Sequence, residues 1–106
     1  MPMRPLFIAA LALAALDVAH AAGPVPPARL GLCAACHGAD GIATMPGAPN
    51  LAGQQQVYLR EALRQYRDGR RNIAVMRAAT GPLSEAELDQ LAAYFSALPS
   101  RPKASP

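Results

Sequence analysis

Five consecutive residues, Cys33-Ala34-Ala35-Cys36-His37, are the part of this sequence best equipped for chemistry. Two thiols separated by two small residues, with an imidazole directly after the second, form a C-x-x-C-H run. That is the spacing of covalent c-type haem attachment. The spacing has a physical basis. The two thiols add across the two vinyl groups on one edge of a porphyrin, and two intervening residues let one turn of chain span that edge. The imidazole of His37 then lies under the ring and points at the iron. Alanine at 34 and 35 lets the backbone lie close to the ring. Other uses of these residue types fit less well. A zinc site needs about four ligands, and this stretch offers two cysteines and one histidine. A redox dithiol of C-x-x-C type normally sits in a βαβ context, and no alternating segment here argues for strands.

The elements that must position this run belong to a small chain. It has 106 residues, 52% hydrophobic but only 5% aromatic, and 16% charged. Much of the hydrophobic fraction is alanine, so the core is thin, and a chain this small often needs a staple. Two cysteines make at most one bridge, which excludes a multi-disulfide scaffold. A haem resolves the shortage: a flat apolar macrocycle supplies the bulk around which alanine- and leucine-bearing helices close.

Met1–Ala21 reads as a secretory signal. Met1–Pro5 is a short basic start, Leu6–Leu16 is uninterrupted and apolar, and Ala19-His20-Ala21 has the small-x-small pattern of a cleavage site. The apolar run is too short to span a bilayer, so no transmembrane anchor is expected after cleavage. The mature chain, Ala22–Pro106, keeps a net charge of +3. It retains one histidine, His37, and two methionines, Met45 and Met76.

The mature chain reads as all-α. Residues 22–29 form a proline-rich, flexible lead-in. Pro27 is placed at the first position of a short helix running from Ala28 to about Cys33 or Ala35. Gly38–Gly53 has the glycines and prolines of a loop. From Gln55 a helical period begins, with Leu59, Ala62, Leu63 and Tyr66 on one stripe and Gly69 as its stop. Arg70–Pro82 reads as a second loop. Ser84 and Glu87 make a capping box for a helix whose apolar face is Leu88, Leu91, Ala92 and Phe95, ended by Pro99. Residues 99–106 read as a disordered tail.

Several stretches, taken with the haem run, resemble a small class I cytochrome c, nearest to single-haem cytochrome c553 and to one domain of cytochrome c4. They are Cys33–Gly41, Pro49-Asn50-Leu51-Ala52-Gly53-Gln54, Tyr58-Leu59, Gly69-Arg70-Arg71, Met76 and Leu91-Ala92-Ala93-Tyr94-Phe95. The resemblance covers residues 30–98. It implies a few helices wrapped around one covalently attached haem, with the first and last helices crossing. The chain departs from that pattern at its start, where Gly23–Leu30 is proline-broken and lacks the aromatic of the family's first helix.

A six-coordinate iron needs a second axial ligand besides His37. Bis-histidine ligation is unavailable within the mature chain, which leaves Met45, Met76 and Lys103. Met45 follows the haem run closely, on the loop leaving the proximal side. Lys103 is in the tail. Met76 lies far enough along the chain to reach the distal face, and the family pattern places its methionine ligand there. The alternative for Met76 is a methionine filling a core gap. The family also implies that the carbonyl of Pro49 accepts the second ring N–H of His37. Arg71, or less strongly Arg70, is a candidate partner for a haem propionate, against a reading of either as a solvated surface charge. Tyr58 reads as core, or as a hydrogen-bonding group near the haem edge.

These readings converge on electron transfer. Closed His/Met ligation raises the reduction potential and leaves a substrate no easy place on the iron. No general-base pair, activated nucleophile or phosphate loop argues for an enzyme. The resemblance implies a soluble periplasmic carrier, as a monomer or in transient complexes with donor and acceptor proteins. The modest basic balance favours an acidic partner, and nucleic-acid binding is a poor reading. Two alternatives stand beside the carrier: a fixed haem subunit of an oxidoreductase complex, and a gas-binding or catalytic haem with an open distal position.

Overall fold

The structure, a computed structural model, describes residues 1–5 and 23–101. Most of the expected signal segment and the end of the tail, with Lys103, lie outside the described residues. Four helices make up the described fold, α1 Leu30–His37, α2 Gln56–Asp68, α3 Ala74–Thr80 and α4 Glu85–Ala97. Among the described residues there is no strand, and no helix is long and apolar enough to cross a membrane.

α4 is the centre of the core. Its capping box forms as its sequence requires: Glu87 N–H donates to Ser84 Oγ at 3.1 Å, and Ser84 N–H donates to Glu87 Oε2 at 3.3 Å. Leu88, Leu91, Ala92 and Phe95 are all buried, and Leu88 is 0% exposed. Full burial of such a leucine contributes about 2 kcal/mol. Leu30 of α1, Leu59 of α2, Leu83 and Tyr94 complete the same cluster. α2 packs on both α3 and α4. Its charged side chains reach across to α4: Arg64 pairs with Glu85 at 2.6 Å, Arg67 pairs with Glu85 too, and Arg60 lies 3.8 Å from Asp89. Gly69 ends α2 at φ +86°, in the left-handed region where glycine carries no Cβ penalty.

The structure corrects the sequence reading at four points. α1 starts at Leu30 and runs on to His37, so the whole C-x-x-C-H run is helical. Pro27 is not its first residue; it lies before the helix and accepts the Leu30 N–H at 3.1 Å. Residues 70–82 are not all loop, because Ala74–Thr80 is helical and Met76 stands on it. Seven residues are too few to show a full apolar period, although three alanines, a methionine and an arginine favour helix. Tyr58 is not core: it is half exposed, with the Arg71 guanidinium over its ring.

The loop between α1 and α2 is closed at both ends. The Gly41 carbonyl accepts the N–H groups of Leu51 at 2.8 Å and Ala52 at 3.1 Å. Gly41 lies at φ +74°, and a Cβ there would fall 2.8 Å from the Ala52 nitrogen. α4 holds the loop from outside. Tyr94 Oη donates to the Ala39 carbonyl, and Gly53 N–H donates to the Phe95 carbonyl.

Candidate functional site

Helical geometry places Cys33, Cys36 and His37 at i, i+3 and i+4, neighbours on one face of α1. The helix closes directly after them, where Gly38 N–H donates to the Ala34 carbonyl at 3.0 Å. The following loop turns back, and Thr44 N–H donates to the Cys36 carbonyl at 3.1 Å. Neither cysteine is in a disulfide. Burial pushes the Cys33 thiol up, and its sulfur lies 3.9 Å from the Arg29 carbonyl oxygen. The Cys36 sulfur lies 3.4 Å from the Met45 sulfur.

His37 is buried, and its Nδ1 stands 2.9 Å from the Pro49 carbonyl oxygen. A carbonyl can only accept, so Nδ1 carries the proton. Nε2 is then the nitrogen with a lone pair, the form in which imidazole binds a metal. Asn50 helps to hold this loop, accepting the Ala43 N–H on Oδ1 at 2.8 Å.

Met76 and Arg71 belong to a second group of elements. Met76 lies half-buried in the first turn of α3. Arg71 lies on the turn between α2 and α3. Its Nε donates to Gln65 Oε1 at 2.8 Å, and its guanidinium stands 5.7 Å from the Tyr58 ring centroid and 5.5 Å from that of Tyr66. Arg70 is paired with Asp68 and Glu61, whereas among the described residues Arg71 pairs with no carboxylate. The two groups meet at a cleft of about 120 Å³, lined by Leu32 and Cys33 of α1 and by Ala78 and Ala79 of α3. Of the candidate site residues only Cys33 lines this cleft, and none lines a larger groove of about 400 Å³ between the lead-in at Pro24 and Pro27 and α4 at Gln90 and Tyr94.

The donor set fits a covalently attached haem. Two unbridged thiols share a helix face with an imidazole whose Nδ1 is already bound, and the cysteine-bearing helix shares a cleft with the helix of Met76. The cytochrome c family model matches residues 30–99. The chain belongs to the cytochrome c family. A cytochrome c domain carries covalent haem c, and Cys33 and Cys36 are the cysteines this one has for it.

The chain is 40% identical over 106 residues to a thiosulfate dehydrogenase electron acceptor of Thiomonas intermedia, covering 99% of this chain and 49% of that protein. It is 42% identical over 71 residues to cytochrome c-554(548) of Halomonas halodenitrificans, covering 64% of this chain and 86% of the relative. The solved cytochrome c4 of Acidithiobacillus ferrooxidans superposes with a TM-score of 0.59 at 35% identity, covering 62% of this chain and 38% of that one. The chain thus spans about half the length of the electron acceptor and of the cytochrome c4 sequences it matches. Relatives of these kinds are electron-transfer proteins rather than enzymes.

Three residues to which the sequence reading gave no role, Asn50, Tyr94 and Thr80, make side-chain ties to the elements around the site. Asn50 was visible as a polar loop residue able to bind its own backbone. Tyr94 adjoins the stripe of α4 and could have been counted into it. Thr80, 1% exposed, had no signal: a threonine before a Gly-Pro pair reads as turn.

Proposed function

We propose that this cytochrome c is a one-electron carrier with His37 and Met76 as axial ligands. The observation that carries the reading is the hydrogen bond between His37 Nδ1 and the Pro49 carbonyl, which leaves Nε2 of a buried, oriented imidazole for iron. The haem supplies a ferric–ferrous couple. The chain supplies its placement. Cys33 and Cys36 would fix one edge of the macrocycle, His37 would present Nε2, and Met76 would present its sulfur. A thioether ligand favours the ferrous state and raises the potential. Arg71, without a carboxylate partner among the described residues, is the arginine suited to a propionate.

The cytochrome c domain spans residues 30–98, behind a lead-in at 22–29. The protein is exported through Met1–Ala21, works in the periplasm and meets its partners transiently. Its net charge of +3 suits an acidic docking face. The likeness to a thiosulfate dehydrogenase electron acceptor supports a dehydrogenase as the donor.

The test is a redox titration of the exported protein, followed by its visible spectrum, with an intact mass. The reading expects a single one-electron transition, a low-spin spectrum in both states, no carbon monoxide binding, and the mass of Ala22–Pro106 plus one haem. A high-spin iron that binds carbon monoxide would favour the gas-binding or catalytic alternative. A mass retaining Met1–Ala21 would contradict the soluble carrier.

A further inference from the structure

α3 carries the candidate ligand Met76 and packs on α2, but buries few of its own residues. Helices of seven residues are marginal by themselves. No side chain caps its start at Ile73, and Ala74, Val75, Arg77 and Ala78 are exposed. Its one buried residue is the last, Thr80, at 1% exposure among the most completely buried side chains of the described chain.

A buried hydroxyl needs a partner, and Thr80 has a specific one. Its Oγ1 donates to the carbonyl oxygen of Met76 at 2.8 Å, one turn back along α3. The Thr80 carbonyl in turn accepts the N–H of Leu83 at 3.0 Å. Leu83 belongs to the core cluster and precedes the cap of α4. A continuous path therefore runs from the Met76 backbone, through one hydroxyl, into the core. The hydroxyl is shielded from water, so solvent cannot readily replace it.

We propose that Thr80 is a positioning residue for Met76: its buried hydroxyl fixes the Met76 carbonyl and so holds the turn from which the methionine sulfur reaches iron. This rests on Met76 being the distal ligand. A threonine hydroxyl bound back to the i−4 carbonyl can also do no more than satisfy itself. The two roles separate experimentally, because they depend on different atoms of the side chain. Positioning needs the oxygen, whereas packing needs the methyl group.

The experiment compares holoprotein of the parent, Thr80→Val, Thr80→Ser and Met76→Ala. It measures the reduction potential, the rate at which imidazole binds the ferric protein, and the thermal midpoint. Thr80→Val keeps the shape and loses the oxygen. Imidazole should enter about fivefold faster, the ratio that one net hydrogen bond supports, and the potential should fall. Thr80→Ser keeps the oxygen and loses the methyl. Its midpoint should drop while imidazole entry and potential stay at parental values. A Thr80→Val protein with parental rate and potential would overturn the proposal, as would Thr80→Ser behaving like Thr80→Val. Met76→Ala distinguishes the two levels. If it opens the iron while Thr80→Val stays parental, only the role of Thr80 falls; if it changes nothing, the ligand assignment falls and the role of Thr80 with it.

Discussion

The hydroxyl of Tyr94 donates to the carbonyl of Ala39 at 2.6 Å, joining α4 to the loop that leaves the C-x-x-C-H helix. Tyr94 is buried at 7% exposure, and the next residue, Phe95, accepts the Gly53 N–H at the loop's other end. Pro49, whose carbonyl meets His37, lies between these two ties. Two adjacent residues of the last helix thus hold the segment that orients the histidine.

Tyr94→Phe removes one tie and keeps the ring. The lost hydrogen bond should cost about 1 kcal/mol of stability, because Ala39 is exposed and water can take the free carbonyl. Denaturant unfolding of the holoprotein checks this. A variant as stable as the parent would show that the tie contributes nothing.

Leu88→Ala should do more damage without touching a candidate ligand. Leu88 is 0% exposed in the centre of the cluster. Truncating such a leucine leaves a cavity and costs about 2–5 kcal/mol, a large share of a small domain's stability. The same unfolding measurement reads it, and a loss below that of Tyr94→Phe would mean that the core sits elsewhere.

Acid should weaken the junction of α2 with α4. Hydrogen bonds from Arg67, then Arg64, hold the Glu85 carboxyl below its ordinary value of 4.5. A carboxylate lowered in the folded state adds stability above its unfolded value, and that stability is lost as pH falls through the folded one. The difference in stability between parent and Glu85→Gln should therefore be present at neutral pH and close below about pH 4.5. The group is exposed, so the difference should be small and shrink with salt. A difference that grew in acid would contradict the assignment.

How much could be seen in the sequence varied by element, for physical reasons. α2 and α4 are long enough to show a full helical period, and their ends carry explicit chemistry in Gly69 and in the Ser84–Glu87 box. α3 is too short to show a period and lies between Gly69 and Gly81-Pro82, so turn residues masked it. The haem-attachment run is local and therefore legible. The ties from Tyr94 to Ala39 and from Thr80 to Met76 depend on how the chain closes, and residue type alone does not announce them.

Removing the thiols tests the attachment itself. Cys33→Ala or Cys36→Ala should weaken or abolish covalent haem retention, read by mass after denaturation. Both changes together should leave apoprotein with little fixed structure, because the aromatic-poor core lacks the bulk the macrocycle adds. A double variant with native-like helicity and no haem would contradict that account of the core.

The visible spectrum and reduction potential of Met76→Ala, set against Met45→Ala, test the central assignment most directly. Met45 is the control because it is exposed on the loop directly after the haem run, whereas Met76 stands on α3. The account predicts that Met76→Ala turns the ferric protein high-spin or water-ligated, lowers the potential and admits cyanide or carbon monoxide, while Met45→Ala matches the parent. A change confined to Met45→Ala would move the ligand to Met45. Parental behaviour in both variants would mean an iron already open, and would contradict the carrier reading.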